Sequence, residues 1–316
     1  MLRRLSLVAL LASAAPAVWA QAKAPIAVLL LAHGGSAKWD AQITQVKKAV
    51  EKAGYPVEIA LGMADPANIE KALAKLSAKR PSKVVCVPIL ISSNSELYEQ
   101  FAYVLGLREQ PSADFLEGMR QAAKLGQGEE RSAGFGKKGR DKGHDHRHHT
   151  SLDARQVKTK LDLKLASALD DHPYVAQILL ARARAVSKNP AKEIVAIVSH
   201  GPYTDAMEGP WMETADKAAR QLAQLGGFAE AKAFNMRDDA PIPVRQAKAK
   251  ELRAYCQQRS KEGKQIIIVP HLVSMNGIEK HITKALDGLF YKISREALLP
   301  HPLVEQWVLA QIKSHE

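Results

Sequence analysis

The feature that most constrains this chain is that it repeats itself. The run IAVLLLAHGG (Ile26 to Gly35) returns as EIVAIVSHGP (Glu193 to Pro202), and KVVCVPILISSNSE (Lys83 to Glu96) returns as QIIIVPHLVSMNGI (Gln265 to Ile278). Near the end of each half, KLDLKLASALDDHPYVAQILLARA (Lys160 to Ala183) returns as GLFYKISREALLPHPLVEQWVLAQI (Gly288 to Ile312), with one gap. In that last pair Lys164 matches Lys292, His172-Pro173 matches His301-Pro302, and Gln177 matches Gln306. Three blocks in one order mean a duplicated unit, so the fold must be one the chain builds twice.

Each unit alternates short β-branched runs with longer amphipathic segments. The first half reads as strand Ile26 to Ala32, helix Ala37 to Ala53, strand Pro56 to Gly62, helix Pro66 to Ala78, strand Lys83 to Ile91 and a helix near Glu96 to Leu107. Ile43, Val46, Ala49 and Val50 share one helix face at 3.6-residue spacing. Pro66 falls where a helix's first free N–H is dispensable. The strands are nearly continuous apolar runs, as in a parallel sheet covered on both faces. The expected fold is α/β: two tandem doubly wound units, 23–188 and 189–316, with a cleft between them.

Residues 1–22 stand apart. A basic start, an apolar run from Leu5 to Ala15 and small residues up to Ala20 and Ala22 have the layout of a cleavable signal peptide. A retained anchor is the alternative, although the run is shorter than the ~20 residues a spanning helix needs. The expectation is an exported, periplasmic protein with no membrane attachment after cleavage. The remaining length favours two domains, each with its own core. Loss of Arg3 and Arg4 lowers the formal charge from +12 to about +10, which selects an acidic partner. No zinc-finger spacing or aromatic-rich basic strand points to nucleic acid. Cys86 and Cys256, one in a strand and one in a helix of different halves, read as small buried residues rather than a disulfide. Homo-oligomerisation stays open.

The halves differ by an insertion of about 54 residues in the first, lying within about 108–155. Its centre, Leu125 to Ser151, is rich in Gly, Lys and His and has hardly any apolar residue, which predicts a mobile loop. It carries HDHRHH, in which His144, His146, His148 and His149 form a tract suited to collecting divalent metal while neutral. Metal capture or delivery is favoured here over an inert linker.

Ligands of open α/β sheets bind at the C-terminal strand edge. His33 ends the first strand there, and Gly34 and Gly35 let a ligand approach the main chain. A histidine merely hydrogen-bonded at the sheet edge is the competing reading. Glu96 follows the third strand on the same edge, after Ser92, Ser93, Asn94 and Ser95, whose hydroxyls, amide and N–H groups could cradle a carboxylate. Alone, Glu96 also reads as a carboxylate satisfying a helix start. His33 and Glu96 together could bind a divalent metal transiently and accept protons near neutral pH. His200 repeats His33 and is a secondary, substrate-binding candidate on the opposite wall, and His271, after the matching third strand, is expected to line the cleft rather than bind metal permanently. His172 and His301 precede prolines at helix starts and read as structural. Rossmann and Walker A motifs are absent, which removes nucleotide readings.

LLLAHGGS, VVCVPILISSNSE, LDDHPYVAQIL and the duplication together resemble the class II tetrapyrrole metal chelatases. The likeness is to sirohydrochlorin cobalto- and ferrochelatases of the long, two-half CbiX type, over nearly the whole chain outside the insertion. That resemblance implies two α/β units with the macrocycle between them and ATP-independent insertion of Co²⁺ or Fe²⁺, with Ni²⁺ also suited to the donors. It implies His33 as the first key histidine. Members usually carry a second histidine where Glu96 stands, and Ile278 takes that place in the second half, with Glu279 and His281 nearby but out of register. Metal insertion releases two pyrrole protons, so His33 and Glu96 become the expected metal-handling and proton-accepting pair. The polyanionic macrocycle gives the basic chain a partner. A non-catalytic periplasmic carrier of tetrapyrrole or metal is the alternative, and a duplicated scaffold for protein partners a third.

Overall fold

A computed structural model describes residues 25–118, 120, 155–275 and 277–316. Residues 1–22 and the tract His144, His146, His148 and His149 lie outside the described residues. Strands and helices alternate in both halves. The first half runs β1 (Ile26–Ala32), α1 (Ala37–Lys52), β2 (Val57–Leu61), α2 (Pro66–Ser77), β3 (Lys83–Pro88), α3 (Glu96–Val104), β4 (Leu163–Leu165) and α4 (Pro173–Arg184). The second runs β5 (Glu193–Ser199), α5 (Asp205–Gly226), β6 (Glu230–Asn235), α6 (Ile242–Lys261), β7 (Gln265–Pro270), α7 (Ile278–Ala285), β8 (Tyr291–Ile293) and α8 (Pro302–Lys313). The strand orders are β2-β1-β3-β4 and β6-β5-β7-β8, and every pair is parallel. The duplication read from the sequence is a duplication of topology.

Local chemistry sets these boundaries. Ser36 caps α1 by accepting from Trp39 N–H (3.2 Å), Asp65 caps α2 through Ala67 N–H (2.8 Å), and Ser95 caps α3 through Tyr98 N–H (3.2 Å). Two segments are shorter than periodicity predicts. Strand β3 stops at Pro88, where Leu90 N–H turns back onto the Pro88 carbonyl (2.9 Å). Helix α3 stops at Val104 because Gly106 takes a φ of +75° and turns the chain.

The units share an interior. Alternate residues of β1 and β5, such as Val28 and Leu30 or Val195 and Ile197, face one central apolar layer filled by α1, α4, α5 and α8. The opposite faces pack against α2 and α3 in the first unit and α6 and α7 in the second. The last helices are exchanged: α4 packs on β7, and α8 packs on β3. Each half therefore has its own outer core, but its inner core is completed by the other half. Arg182 at the end of α4 donates to the Ala297 and Pro300 carbonyls (2.8 and 2.7 Å) and pairs with Glu296. Cys86 and Cys256 are free and buried. Among the described residues no helix is long and apolar enough to cross a membrane.

Candidate functional site

The site is built where β1 and β5 end. His33 leaves β1 with its Nδ1 2.6 Å from the Gly34 carbonyl, and its ring stacks on Trp39 (5.2 Å between centroids, 9° between planes). A carbonyl only accepts, so Nδ1 carries a hydrogen. The Ser36 cap places Trp39 in the first turn of α1, beneath the imidazole. Gly34 has a φ of +72°, and a Cβ there would lie 3.2 Å from Asp40 Oδ1.

His200 stands at the same position of the second unit but in a different state. Its Nδ1 is 2.8 Å from the Gly201 carbonyl, and its Nε2 is 3.2 Å from Asp239 Oδ2. Both ring nitrogens face acceptors, which favours the imidazolium. Desolvation works to lower the His200 pKa, but the charge and hydrogen bond of Asp239, the Gly201 carbonyl and Asp238 outweigh it and raise it to about 9. In return the His200 charge pulls Asp239 down to about 2, with help from His33 and Arg245. Asp239 therefore responds to both strand-tip histidines. Its side chain is 69% exposed, so water screens the pairing.

Asp238, the neighbour of Asp239, lies 3.0 Å from His281 Nδ1. These two aspartates follow β6 and were not among the residues expected from the sequence. The repeat offered a signal: NMRDDAP follows β6 where LGMADP follows β2, putting an acidic pair at a third strand end on the ligand edge. His281, out of register in the repeat, reaches the cluster because it lies one turn into α7.

Glu96 opens α3 and is 6% exposed. Its Oε1 accepts from Thr204 N–H (2.8 Å) and from the Thr204 hydroxyl (3.0 Å). Thr204 is the N-cap of α5, so the carboxylate meets the helix start of the opposite unit rather than only its own. The Tyr203 hydroxyl is raised above its usual pKa, first by burial and then by Glu117, Asp114, Asp239 and Glu96. His33, His200 and Glu96 thus all lie beyond the C-terminal ends of parallel strands, and Thr204 joins Glu96 to the loop that carries His200.

The serine-rich loop spends its groups internally. Ser92 Oγ accepts from Asn94 N–H (3.0 Å), the Ser93 N–H and hydroxyl donate to Asp170 (2.6 and 2.7 Å), and the Ser95 hydroxyl donates to the Ser92 carbonyl (3.1 Å). Asn94 Nδ2 reaches across to the Pro210 carbonyl (3.4 Å). These residues shape the loop ahead of Glu96. His271 is 1% exposed, with neither ring nitrogen hydrogen-bonded, and burial lowers its pKa to about 4. His172 and His301 cap α4 and α8, each accepting an N–H two residues on at 3.2 Å. Among the described residues no three His, Cys, Asp or Glu side chains are grouped to hold a metal ion.

This architecture is that of the chelatases: two α/β units, each a four-stranded parallel sheet. SirB from Bacillus subtilis, solved with Fe3+, superposes with a TM-score of 0.57 and 14% identity over 92% of this chain and 94% of that one. DR2241 from Deinococcus radiodurans, a multi-domain protein with structural similarity to chelatases and two additional novel domains, gives 0.53 and 17% over 92% of this chain. The match spans only 54% of DR2241. No protein-family model and no curated protein sequence matches the chain.

Proposed function

We propose that this chain binds a tetrapyrrole macrocycle between its two units and inserts a divalent metal, Co²⁺ or Fe²⁺ and also Ni²⁺, without ATP. The observation that carries the reading is that the repeat-related histidines His33 and His200 stand at the ends of β1 and β5, with His200 Nε2 3.2 Å from Asp239 and Glu96 bonded across to Thr204 on the loop that carries His200. The macrocycle would be sirohydrochlorin or a close relative, and the metal a substrate that leaves in the product. The chelatase-like fold supports this reading, as does a formal charge that falls from +12 to about +10 on loss of Arg3 and Arg4, which suits a ligand bearing many carboxylates. We place the working protein in the periplasm after removal of residues 1–22.

The two histidines take different roles. His33 receives the incoming ion or a pyrrole proton. His200, held as an imidazolium by Asp239, is a poor metal ligand and a good partner for a macrocycle carboxylate. Insertion exchanges one M²⁺ for two pyrrole protons, so a second acceptor is required. Glu96 has that chemistry, since both Thr204 bonds fall on Oε1 and neither uses Oε2. Gly34, Ser92, Ser93, Asn94, Ser95 and His271 support the loops around the ring.

A second reading, a carrier that holds the macrocycle or metal without turnover, draws on the absence of a three-residue metal group among the described residues. Absorbance spectra of the purified chain with sirohydrochlorin, with and without Co²⁺, Fe²⁺ and Ni²⁺, separate the two. Multiple turnovers above the uncatalysed rate are expected of a chelatase. Stoichiometric binding that then stops identifies a carrier, and no spectral change at all defeats both.

A further inference from the structure

The loop between β5 and α5 carries His200, Tyr203 and Thr204, and one buried side chain spans it. Arg237, two residues beyond β6, has a side chain only 3% exposed. Its main-chain N–H donates to the His200 carbonyl (2.6 Å). Its guanidinium donates from Nε to the Pro202 carbonyl (3.2 Å) and from Nη2 to the Tyr203 carbonyl (2.6 Å). Nη1 pairs with Asp205 and, at 2.9 Å, with Glu208, both on the first turn of α5. One residue thus engages the loop at its start, its middle and its end.

Two further observations separate this from ordinary packing. Arg237 adopts a φ of +47°, in the left-handed region that most residues other than glycine seldom enter. The loop is pressed onto it: a Cβ on Gly201, whose φ is +84°, would lie 3.1 Å from Arg237 Cγ and 2.8 Å from Asn235 Cβ. The first unit keeps only the main-chain part of the device. There Gly62 N–H bonds both the Ala32 and the His33 carbonyls (3.0 and 3.1 Å), as Met236 and Arg237 N–H bond those of Ser199 and His200, but Met63, which follows, carries no guanidinium to span the loop.

We propose that Arg237 is a positioning residue that holds the β5–α5 loop so that His200 and the Thr204–Glu96 contact are presented together to the bound ligand. Only a planar fork with several N–H groups can bond two carbonyls and two carboxylates at once, and a lysine ammonium cannot reproduce it. Arg237 is also followed directly by Asp238 and Asp239, so the same residue ties the loop to the carboxylates that meet His281 and His200. The inference rests on the chelatase reading for its purpose but not for its test.

Hydrogen exchange of the full chain, in wild type, Arg237→Lys and Arg237→Met, gives that test. The Thr204 amide is expected to lose at least tenfold of its protection in both variants while the amides of β5 keep theirs. Arg237→Lys is the variant that keeps the buried charge paired with Glu208, so it decides the matter if Arg237→Met does not fold. In the insertion assay with sirohydrochlorin and Co²⁺, both variants are expected to lose at least tenfold in kcat/KM, with KM rising as His200 is displaced and kcat falling as the Thr204–Glu96 contact is lost. Wild-type protection of Thr204 in a folded Arg237→Lys overturns the proposal. If wild type itself inserts no metal, the chelatase reading fails while the exchange result still decides what Arg237 does.

Discussion

The two units share one topology, but their strand tips are furnished differently. At the inner-face positions that end β1, β2 and β3 the first unit has Ala32, Leu61 and Ile89. The matching residues of the second unit are Ser199, Asn235 and His271, which are 0%, 3% and 1% exposed. Neither His271 nitrogen and neither polar atom of the Asn235 amide has a hydrogen-bond partner. Beyond them come Arg237, Asp238 and Asp239, where the first unit has Met63, Ala64 and Asp65, the last of which caps α2. A buried polar group without a partner destabilises a fold, so Asn235 and His271, standing where the first unit has Leu61 and Ile89, are retained for something other than folding stability. The difference teaches where the copies diverge, and on the proposed function it is a division of labour in which the first supplies the basic imidazole and the second the charged and polar surroundings.

The largest test of that division is in activity. His33→Ala is expected to slow Co²⁺ insertion by about 10²–10⁴-fold, the range for a lost proton-transfer group. His200→Ala is expected to raise KM for sirohydrochlorin and leave kcat within a few-fold, because the lost group binds a carboxylate. Equal loss of kcat in both variants would mean that the histidines are interchangeable and the division is wrong.

Next in size is a stability difference at the start of the same strands. Glu193 of β5 is 1% exposed, and its carboxylate accepts from Lys292 Nζ (2.8 Å) and Lys188 N–H (3.0 Å) and pairs with the Ser187 hydroxyl. Burial would raise its pKa, but these partners overcome that and hold it at about 2. The first unit has Ile26 there, and Lys164, the match of Lys292, pairs outward with Asp162 (2.9 Å). Glu193→Ala is expected to destabilise the chain by about 3 kcal/mol in urea unfolding, since it strands a lysine designed around a buried carboxylate. A change under about 1 kcal/mol would show that this pair only decorates the sheet.

A change of opposite sign is expected at the strand tips. Copying the first unit's row into the second as Asn235→Leu and His271→Ile removes unpaired buried groups worth about 1–3 kcal/mol each. The double variant is expected to melt higher and bind sirohydrochlorin more weakly. Lower stability with full binding would show that the polar row belongs to the core and not to the site.

The contrast also explains what could be read from the sequence. Repetition and strand patterning carry fold information directly, because parallel strands buried on both faces must be continuously apolar and αβ alternation must follow. Ile26 to Ala32 and Ala37 onward were legible for that reason. His33, His200 and Glu96 were legible because they fall just past strand ends. The exchange of α4 and α8 was not, since periodicity gives a helix its apolar face but not the sheet that receives it. Arg237 and Asp239 were hidden for another reason: a charged residue after a strand reads as solvated surface until the loop facing it is known. The partner of Glu96 was hidden likewise, because nothing local to PILISSNSE announces that Thr204 of the other copy will meet it.

The smallest expected effect is the most specific to the second unit. The His200 pKa of about 9 lies above its ordinary 6.5, so its pairing stabilises fully below pH 6.5 and fades as pH rises through 9. Asp239, at about 2 against an ordinary 3.8, contributes above 3.8 and loses its part as pH falls through 2. The pair is therefore intact across the window between about pH 4 and 6.5 and weakens toward alkaline pH. Because the Asp239 side chain is 69% exposed, salt should erode the coupling. Asp239→Asn removes the charge and leaves desolvation acting on the imidazole, so the His200 midpoint should fall to 6.5 or lower. His172 and His301, both lowered mainly by burial, serve as references in the same imidazole NMR titration and should not move. A His200 midpoint that stays near 9 in that variant would trace the imidazolium to the Gly201 carbonyl and Asp238 instead, and the second unit's distinctive charge would then belong to its loop rather than to Asp239.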